Sequence, residues 1–355
     1  MRRWRDVRNV LGDRLAIAAA ICVIAGLIAF ATGLGAQERA RTFATLIANW
    51  LFFAGLVAGG GAFRAFFRLV SAQWAGPLSN LGSVLLGFAP IALAILVVIV
   101  VGSGAWLNAA PSVWMSGVGL GARELVLTAG LFGGGFFLRP GVDRDRRPQV
   151  GFAIAYLIAF AIVLSLWAFD FVLGADAMFE STLIGGFVFM SAFTAGTGLV
   201  VLLALRHGLL AERARRDAAG LIFALAIFWA YLFWSQYLTI WYGNLPDEVT
   251  FALRRTGGWG GIVLAVIGAV FAIPFVTLLH PAGRRSARAL GIVLAVQLWG
   301  LWLCCQLLIV PSLTPVDAPV LSIRDALVAV GMLGAFALSV ARGLENLMPE
   351  KKTHD

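Results

Sequence analysis

Arg123 and Glu124 stand side by side inside an otherwise uncharged, largely apolar run (114–138), and Asp170 lies near the end of another apolar run. A carboxyl in apolar surroundings is suited to taking up and passing on a proton, and Arg123 is the cation that would balance one of the two. Successive side chains on a helix point about 100° apart, so Arg123 and Glu124 cannot readily neutralise each other. Each is expected to find a partner on another helix or in a polar cavity. An Arg123–Asp170 pair that only locks two helices together is the plainer alternative.

A second group lies in the stretch Phe228 to Glu248, FWAYLFWSQYLTIWYGNLPDE, which is apolar enough to cross a bilayer yet carries Tyr231, Ser235, Gln236, Tyr237 and Thr239. Polar side chains in hydrocarbon face a partner helix, a cavity or a ligand. Tyr231, Ser235, Thr239 and Tyr242 share one helical face, and Gln236 widens it. The expectation is a ligand pocket lined by Tyr231, Ser235, Gln236 and Tyr237, with Trp241 as an interfacial anchor. Hydrogen bonding between helices is the alternative for any one of them.

Other chemistry is thinly supported. His207, His280 and His354 fall in connecting segments or the tail, so no pair could ligate a haem within a span. There is no phosphate-binding glycine loop and no metal-ligand cluster. Cys22, Cys304 and Cys305 lie in apolar runs without CxxC spacing and read as packing residues, with neither a disulfide frame nor an iron–sulfur site. A lipid-soluble quinone is the one electron carrier such a chain could hold unaided.

These groups must be positioned by membrane helices. With 61% hydrophobic and 13% charged residues and a mean hydropathy of +0.91, the chain is an integral membrane protein. Its formal charge of +9 does not point to nucleic acid, because the basic residues are dispersed in short connecting segments. An all-α architecture with ten transmembrane helices is expected in one membrane domain: an N-terminal segment 1–14, a helical bundle 15–341 and a tail 342–355. The spans read as 15–37, 42–62, 80–101, 114–138, 150–173, 181–205, from 219 through the aromatic stretch, 259–279, 289–310 and 325–341. Gly55 and Gly59, Gly130 and Gly134, and Gly257 and Gly261 are expected at helix contacts. Pro90 and Pro274 are expected to interrupt the third and eighth spans.

Loop charge orients this arrangement. Of 27 Lys and Arg residues, only Arg39, Arg41, Arg254, Arg255 and Arg324 fall on one side, Arg123 lies within a span, and the rest share the other side. The basic side is cytoplasmic, which puts both termini in the cytoplasm of a cell with the protein in its inner membrane. Arg123 and Glu124 then sit on the order of 10–15 Å below the outer surface. Asp170, Ser181, Thr182, Ser235, Gln236 and Tyr237 come from the same outer third. Spans four to seven are therefore expected to present these groups to one another.

Two segments resemble a known family. Trp167-Ala-Phe-Asp-Phe171, followed by Ser181-Thr182 and a Gly/Phe-rich helix start, is similar to the FD…ST…FG region of the membrane subunits of alternative complex III. Phe228 to Glu248 resembles their FWAY…FSQ…LIWY.N.PEE segment. The closer likeness is to the second quinone-binding-type subunit of that quinol:acceptor oxidoreductase, itself similar to the polysulfide-reductase (NrfD-like) membrane anchors. The resemblance implies two four-helix bundles with peripheral helices. It also implies assembly with a related quinol-oxidising membrane subunit, an iron–sulfur protein and multihaem cytochromes. Family members tend to show SLDPHWFST ahead of the Ser-Thr pair, whereas Leu173 to Thr182 reads LGADAMFEST. The histidine that would accept a quinol proton is missing, so Asp170 or Glu124 would take that part.

The expectation is thus a respiratory membrane subunit with Asp170 and Glu124 handling protons and Arg123 as their electrostatic partner. Tyr231, Ser235, Gln236, Tyr237, Trp241, Ser181 and Thr182 would hold quinone or quinol. Two rivals are a non-catalytic scaffold in the same complex and a secondary transporter built of five-plus-five inverted repeats, with Pro90 matching Pro274.

Overall fold

The computed structural model describes residues 2–347 apart from 36, 71, 76–77, 109–113, 139–145, 177, 317 and 319, with side chains described from residue 14 onward except at 73 and 146–149. Among the described residues the regular secondary structure is all helical, without strands. The helices are α1 (Arg2–Thr32), α2 (Arg39–Leu69), α3 (Ser79–Val84), α4 (Ala89–Val101), α5 (Gly117–Phe137), α6 (Arg146–Trp167) and α7 (Leu183–Arg206). They continue with α8 (Glu212–Gly243), α9 (Pro246–Leu253), α10 (Gly260–Ile267), α11 (Ile273–Leu279), α12 (Pro281–Arg285), α13 (Ala287–Ile309) and α14 (Ile323–Leu347).

Nine helical stretches among the described residues are long and apolar enough to cross a membrane. They match nine of the ten expected spans, and the fourth is the exception. A helix does form there as α5, but Arg123, Glu124 and its glycines leave it short of that apolar content. Pro90 and Pro274 do lie at breaks. A 3-10 turn (Leu85–Phe88) divides α3 from α4, and a π-helical segment (Gly268–Ala272) divides α10 from α11.

The least lipid-like long helix is the most enclosed. Along α2 nearly every residue from Thr42 to Phe67 is buried, and it touches α4, α5, α6, α7, α13 and α14. A helix surrounded by protein can carry Thr, Asn and Gly at no cost in lipid contact. Its Gly59-Gly60-Gly61 run shows how sequence becomes packing. Three successive residues open three directions about 100° apart, each toward a different neighbour. A Cβ at Gly59 would lie 2.2 Å from the Ala192 carbonyl oxygen of α7. At Gly60 it would lie 3.1 Å from the Gly82 oxygen of α3, and at Gly61 it would lie 2.1 Å from the Tyr156 hydroxyl of α6. Tyr156 donates that hydroxyl to the Ala58 carbonyl (3.2 Å).

Gly130, Gly257 and Gly261 correct the expectation of helix contact, because a Cβ at any of them would meet nothing within 4 Å. Spacing alone cannot say whether a helix face has a neighbour. Cys22 does pack at a close crossing: a Cβ at Gly334 would lie 3.1 Å from its own, and Gly26 meets Gly331 one turn away. This crossing holds α1 to α14. At the start of α14, Asp325 accepts from Arg41 (2.5 and 3.1 Å) and Thr45 (2.8 Å), which ties α14 to the start of α2. Arg324 pairs with Glu38 beside it.

Candidate functional site

The starts of α2, α5, α7 and α14 and the ends of α6, α8 and α13 gather at one end of the bundle, the end whose loops are poorer in basic residues. Two polar sites lie there.

The first is built by α5 and α6. Ser116 caps α5 by accepting from the Gly119 N–H (3.0 Å), and Arg123 and Glu124 follow in the second turn. On α6 the regular helix gives way to a π-helical segment, Ala168–Leu173, at Asp170. An extra residue in the turn re-aims the side chains that follow, which is why such segments recur at functional sites. Gly174 closes the segment where a Cβ would lie 2.1 Å from the Asp170 carbonyl oxygen. Arg123 donates Nε (2.9 Å) and Nη2 (2.6 Å) to Asp170 Oδ2. Glu124 Oε1 lies 3.9 Å from Arg123 Nε, and its carboxyl neighbours that of Asp170. Glu124 and Asp170 are fully buried. Both Glu124 oxygens and Asp170 Oδ1 lack a hydrogen-bond partner among the described residues.

One guanidinium facing two carboxyls leaves a net negative charge in a dry site unless one proton is held between them. The surroundings set where that proton can go. Inward, Thr128 lies one turn below Glu124 and accepts from Trp167 Nε1 (3.0 Å). Trp50 meets Trp167 at 4.7 Å and Phe171 at 5.2 Å between ring centroids, and all three are buried. Outward, the half-exposed Trp114 lies over the Arg123 guanidinium at 3.8 Å, and its carbonyl accepts from Nη1 (3.0 Å). The triad is therefore sealed by aromatic rings on its inner side and covered by one indole on its outer side. Trp114 had stood in the sequence only as a span boundary.

The second site lies between α7, α8, α9 and α13. Ser181 donates its hydroxyl to Gln236 Oε1 (2.6 Å). Gln236, Tyr237, Phe187, Phe233 and Cys304 line a cavity of about 150 Å³ beside Arg255. Arg255, counted in the sequence only as a loop charge, is buried here. It donates Nε to the Leu307 carbonyl (2.8 Å), Nη1 to Phe251 (2.7 Å) and Nη2 to Leu308 (2.7 Å) and the Ser312 hydroxyl (2.9 Å). It thus satisfies the carbonyls left open where α13 ends. Burial pulls its guanidinium down to about 9, with nearby Asp176 opposing, so it stays charged at neutral pH. The signal for it was an Arg pair on the side of the protein poorest in cations. Arg255→Met removes four hydrogen bonds from buried acceptors and is expected to cost about 3 kcal/mol. Thermal unfolding of the purified variant measures this, and a change within about 0.5 kcal/mol would show the cap to be dispensable.

The remaining predicted site residues divide. Ser181, Gln236 and Tyr237 meet at this cavity. Tyr231 (62% exposed), Trp241 and Thr182 face outward and line neither site. Ser235 is half-buried and its carbonyl accepts from Thr239 (2.6 Å). The expected polar face of Tyr231, Ser235, Thr239 and Tyr242 is the outer face of α8, because Trp229, Leu232 and Ile240 turn the other side inward. The expected single pocket is also two. Leu173, at the end of the π-helical segment, packs on Phe179, Ile240 and Phe251, and the last two also wall the cavity. Apolar side chains thus part the triad from the Gln236 site. His207 and His280 are exposed, and His354 lies outside the described residues.

The chain matches no protein-family model and no curated protein sequence.

Proposed function

We propose that this chain is a membrane subunit of a quinol-oxidising respiratory complex of the alternative complex III type, contributing a proton-handling site at the outer side of a bacterial inner membrane. The observation that carries this reading is the buried Arg123–Asp170–Glu124 triad, with three carboxyl oxygens that have no hydrogen-bond partner among the described residues. Ionisable groups inside a membrane bundle are costly and are retained for proton or ion work. Two closed rings of helix contacts, α2–α4–α5–α6 and α7–α8–α10/α11–α13, support two four-helix bundles, with α1 and α14 peripheral. In this reading α5 is the tenth span: its 21 residues give about 31 Å of helix, the thickness of the hydrocarbon core. Both termini are cytoplasmic.

The Gln236 cavity fits a quinone ring by its donor set. The Gln236 oxygen is engaged by Ser181, which leaves its amide N–H groups, and Tyr237 adds a hydroxyl. Phe187 and Phe233 would flank the ring. A bound quinol would give up two electrons, which would pass to partner iron–sulfur and multihaem cytochrome subunits, and two protons, which would leave to the outer aqueous side, one directly and one relayed by water along the outer face to the acid pair. Asp170 and Glu124 hold one exchangeable proton between them, Arg123 fixes the charge balance, and the aromatic seal directs exchange outward.

Glu124→Gln keeps the shape and removes the exchangeable proton. The expected outcome is a complex that still assembles, seen by co-purification with a tagged chain, with quinol-dependent electron flux lowered about 100-fold. Normal flux in an intact complex would remove the triad from the mechanism and leave a scaffold subunit. A secondary transporter is favoured by one observation, the matched helix breaks before Pro90 and Pro274. Substrate uptake by the isolated chain in liposomes would establish it.

A further inference from the structure

A third polar site, a groove, lies at the opposite, basic end of the bundle, where α3 and the turn after it meet the last turns of α14. It encloses about 460 Å³ and is lined by Ser83, Ile91, Arg342, Asn346 and Leu347 among others. Its walls are fixed by close backbone approach. A Cβ at Gly343 would lie 3.2 Å from the Val84 carbonyl oxygen, and one at Gly87 would lie 3.2 Å from the Ser339 carbonyl oxygen. Among the described residues, no acidic side chain lines it. Ser83 and Ser339 spend their hydroxyl hydrogens on Asn80 and Ala335 carbonyls. The Arg342 and Asn346 side chains make no hydrogen bond or ion pair among the described residues, and Glu345, three residues after Arg342, does not pair with it. The groove thus offers a planar five-donor cation and an amide to an acceptor, beside apolar Ile91, which lies toward the hydrocarbon along α4.

We propose that this groove binds the phosphate headgroup of an anionic glycerophospholipid, with Arg342 as its fork and Asn346 as a second donor. Charge complementarity identifies the occupant: a phosphodiester supplies acceptor oxygens that match a guanidinium in pairs, and its acyl chains begin where the lining turns apolar. The basic rim at this end, which includes Arg206, Arg213, Arg284 and Arg285, draws anionic lipid to the surface without fixing one molecule. This inference rests on the membrane-spanning reading alone and is independent of any role in electron transfer.

The test uses the purified full-length chain in nanodiscs of phosphatidylcholine with a minor fraction of phosphatidylglycerol, followed by native mass spectrometry of retained lipid. Wild type is expected to keep phosphatidylglycerol in preference to phosphatidylcholine. Arg342→Gln, at an exposed position that leaves the fold intact, is expected to retain it about tenfold less, and Arg342→Lys to fall between the two. Arg285→Gln on the same rim is expected to behave as wild type. Equal retention by wild type and Arg342→Gln, or an equal loss in Arg285→Gln, overturns the proposal. So does inorganic phosphate that displaces the lipid at millimolar concentration, which would assign the groove to a free anion.

Discussion

In Asp170→Asn the fold is expected to survive with a modest loss of stability, whereas Asp170→Asn combined with Glu124→Gln is expected to lose about 3–5 kcal/mol. The difference lies in the arrangement of the triad. Asp170 is the direct counter-ion of Arg123, but Glu124 Oε1 waits 3.9 Å from Arg123 Nε. Two unit charges about 4 Å apart attract by about 4 kcal/mol at an effective dielectric near 20, enough for Glu124 to replace the lost partner. Removing both acids leaves a guanidinium largely buried and unbalanced. Adding Arg123→Leu is then expected to restore most of the stability, because an apolar side chain of similar size replaces a stranded charge. Quinol-dependent flux is expected to stay about 100-fold down or lower in all three variants. Denaturant unfolding in detergent supplies the thermodynamic cycle. Strictly additive losses would show that Glu124 does not stand in for Asp170. Flux that returns with stability in the triple variant would reduce the triad to a helix lock.

The second large effect is expected at the crossing of α2 and α7. A Cβ on Gly196 would lie 2.3 Å from the Gly59 carbonyl carbon and 2.6 Å from both Gly59 Cα and Gly60 N. All three atoms are backbone, so no rotamer change can relieve the contact and the two helices must part. Gly196→Ala is expected to destabilise by about 3 kcal/mol or more, at the top of the range for overpacking. The damage would spread, because α2 and α7 belong to the two different rings of helices. Gly130→Ala is the control: nothing lies within 4 Å, and alanine gains about 0.8–1 kcal/mol of helix propensity in an aqueous reference. The two melting temperatures should therefore move in opposite directions. A Gly196→Ala protein as stable as wild type would show that the crossing has slack.

Residues differ in how much of their role the sequence alone makes legible. The spans were readable because a helix that faces lipid must be apolar along its whole length. α5 was read from the same pattern although Arg123 and Glu124 interrupt it, and the partnership of Arg123 with Asp170 followed from charge and depth. The orientation of α8 was not readable. Both of its faces carry aromatic and polar groups, and the sequence favoured Tyr231 where packing of Trp229, Leu232 and Ile240 chose the side holding Gln236. Arg255 was hidden for a related reason: a loop arginine looks alike whether it meets water or caps the end of a neighbouring helix.

By itself, then, the sequence determined that this is a helical membrane protein, where its helices run, and that three ionisable residues lie at one depth. Those properties depend on composition summed along a segment. Only the tertiary structure decided that Glu124 and Asp170 share Arg123, that a separate cavity forms beside Gln236, and that three consecutive glycines serve three different neighbours. Each of these depends on the rotation of one helix about its own axis, where a shift of one residue, about 100°, turns a buried contact into an exposed one.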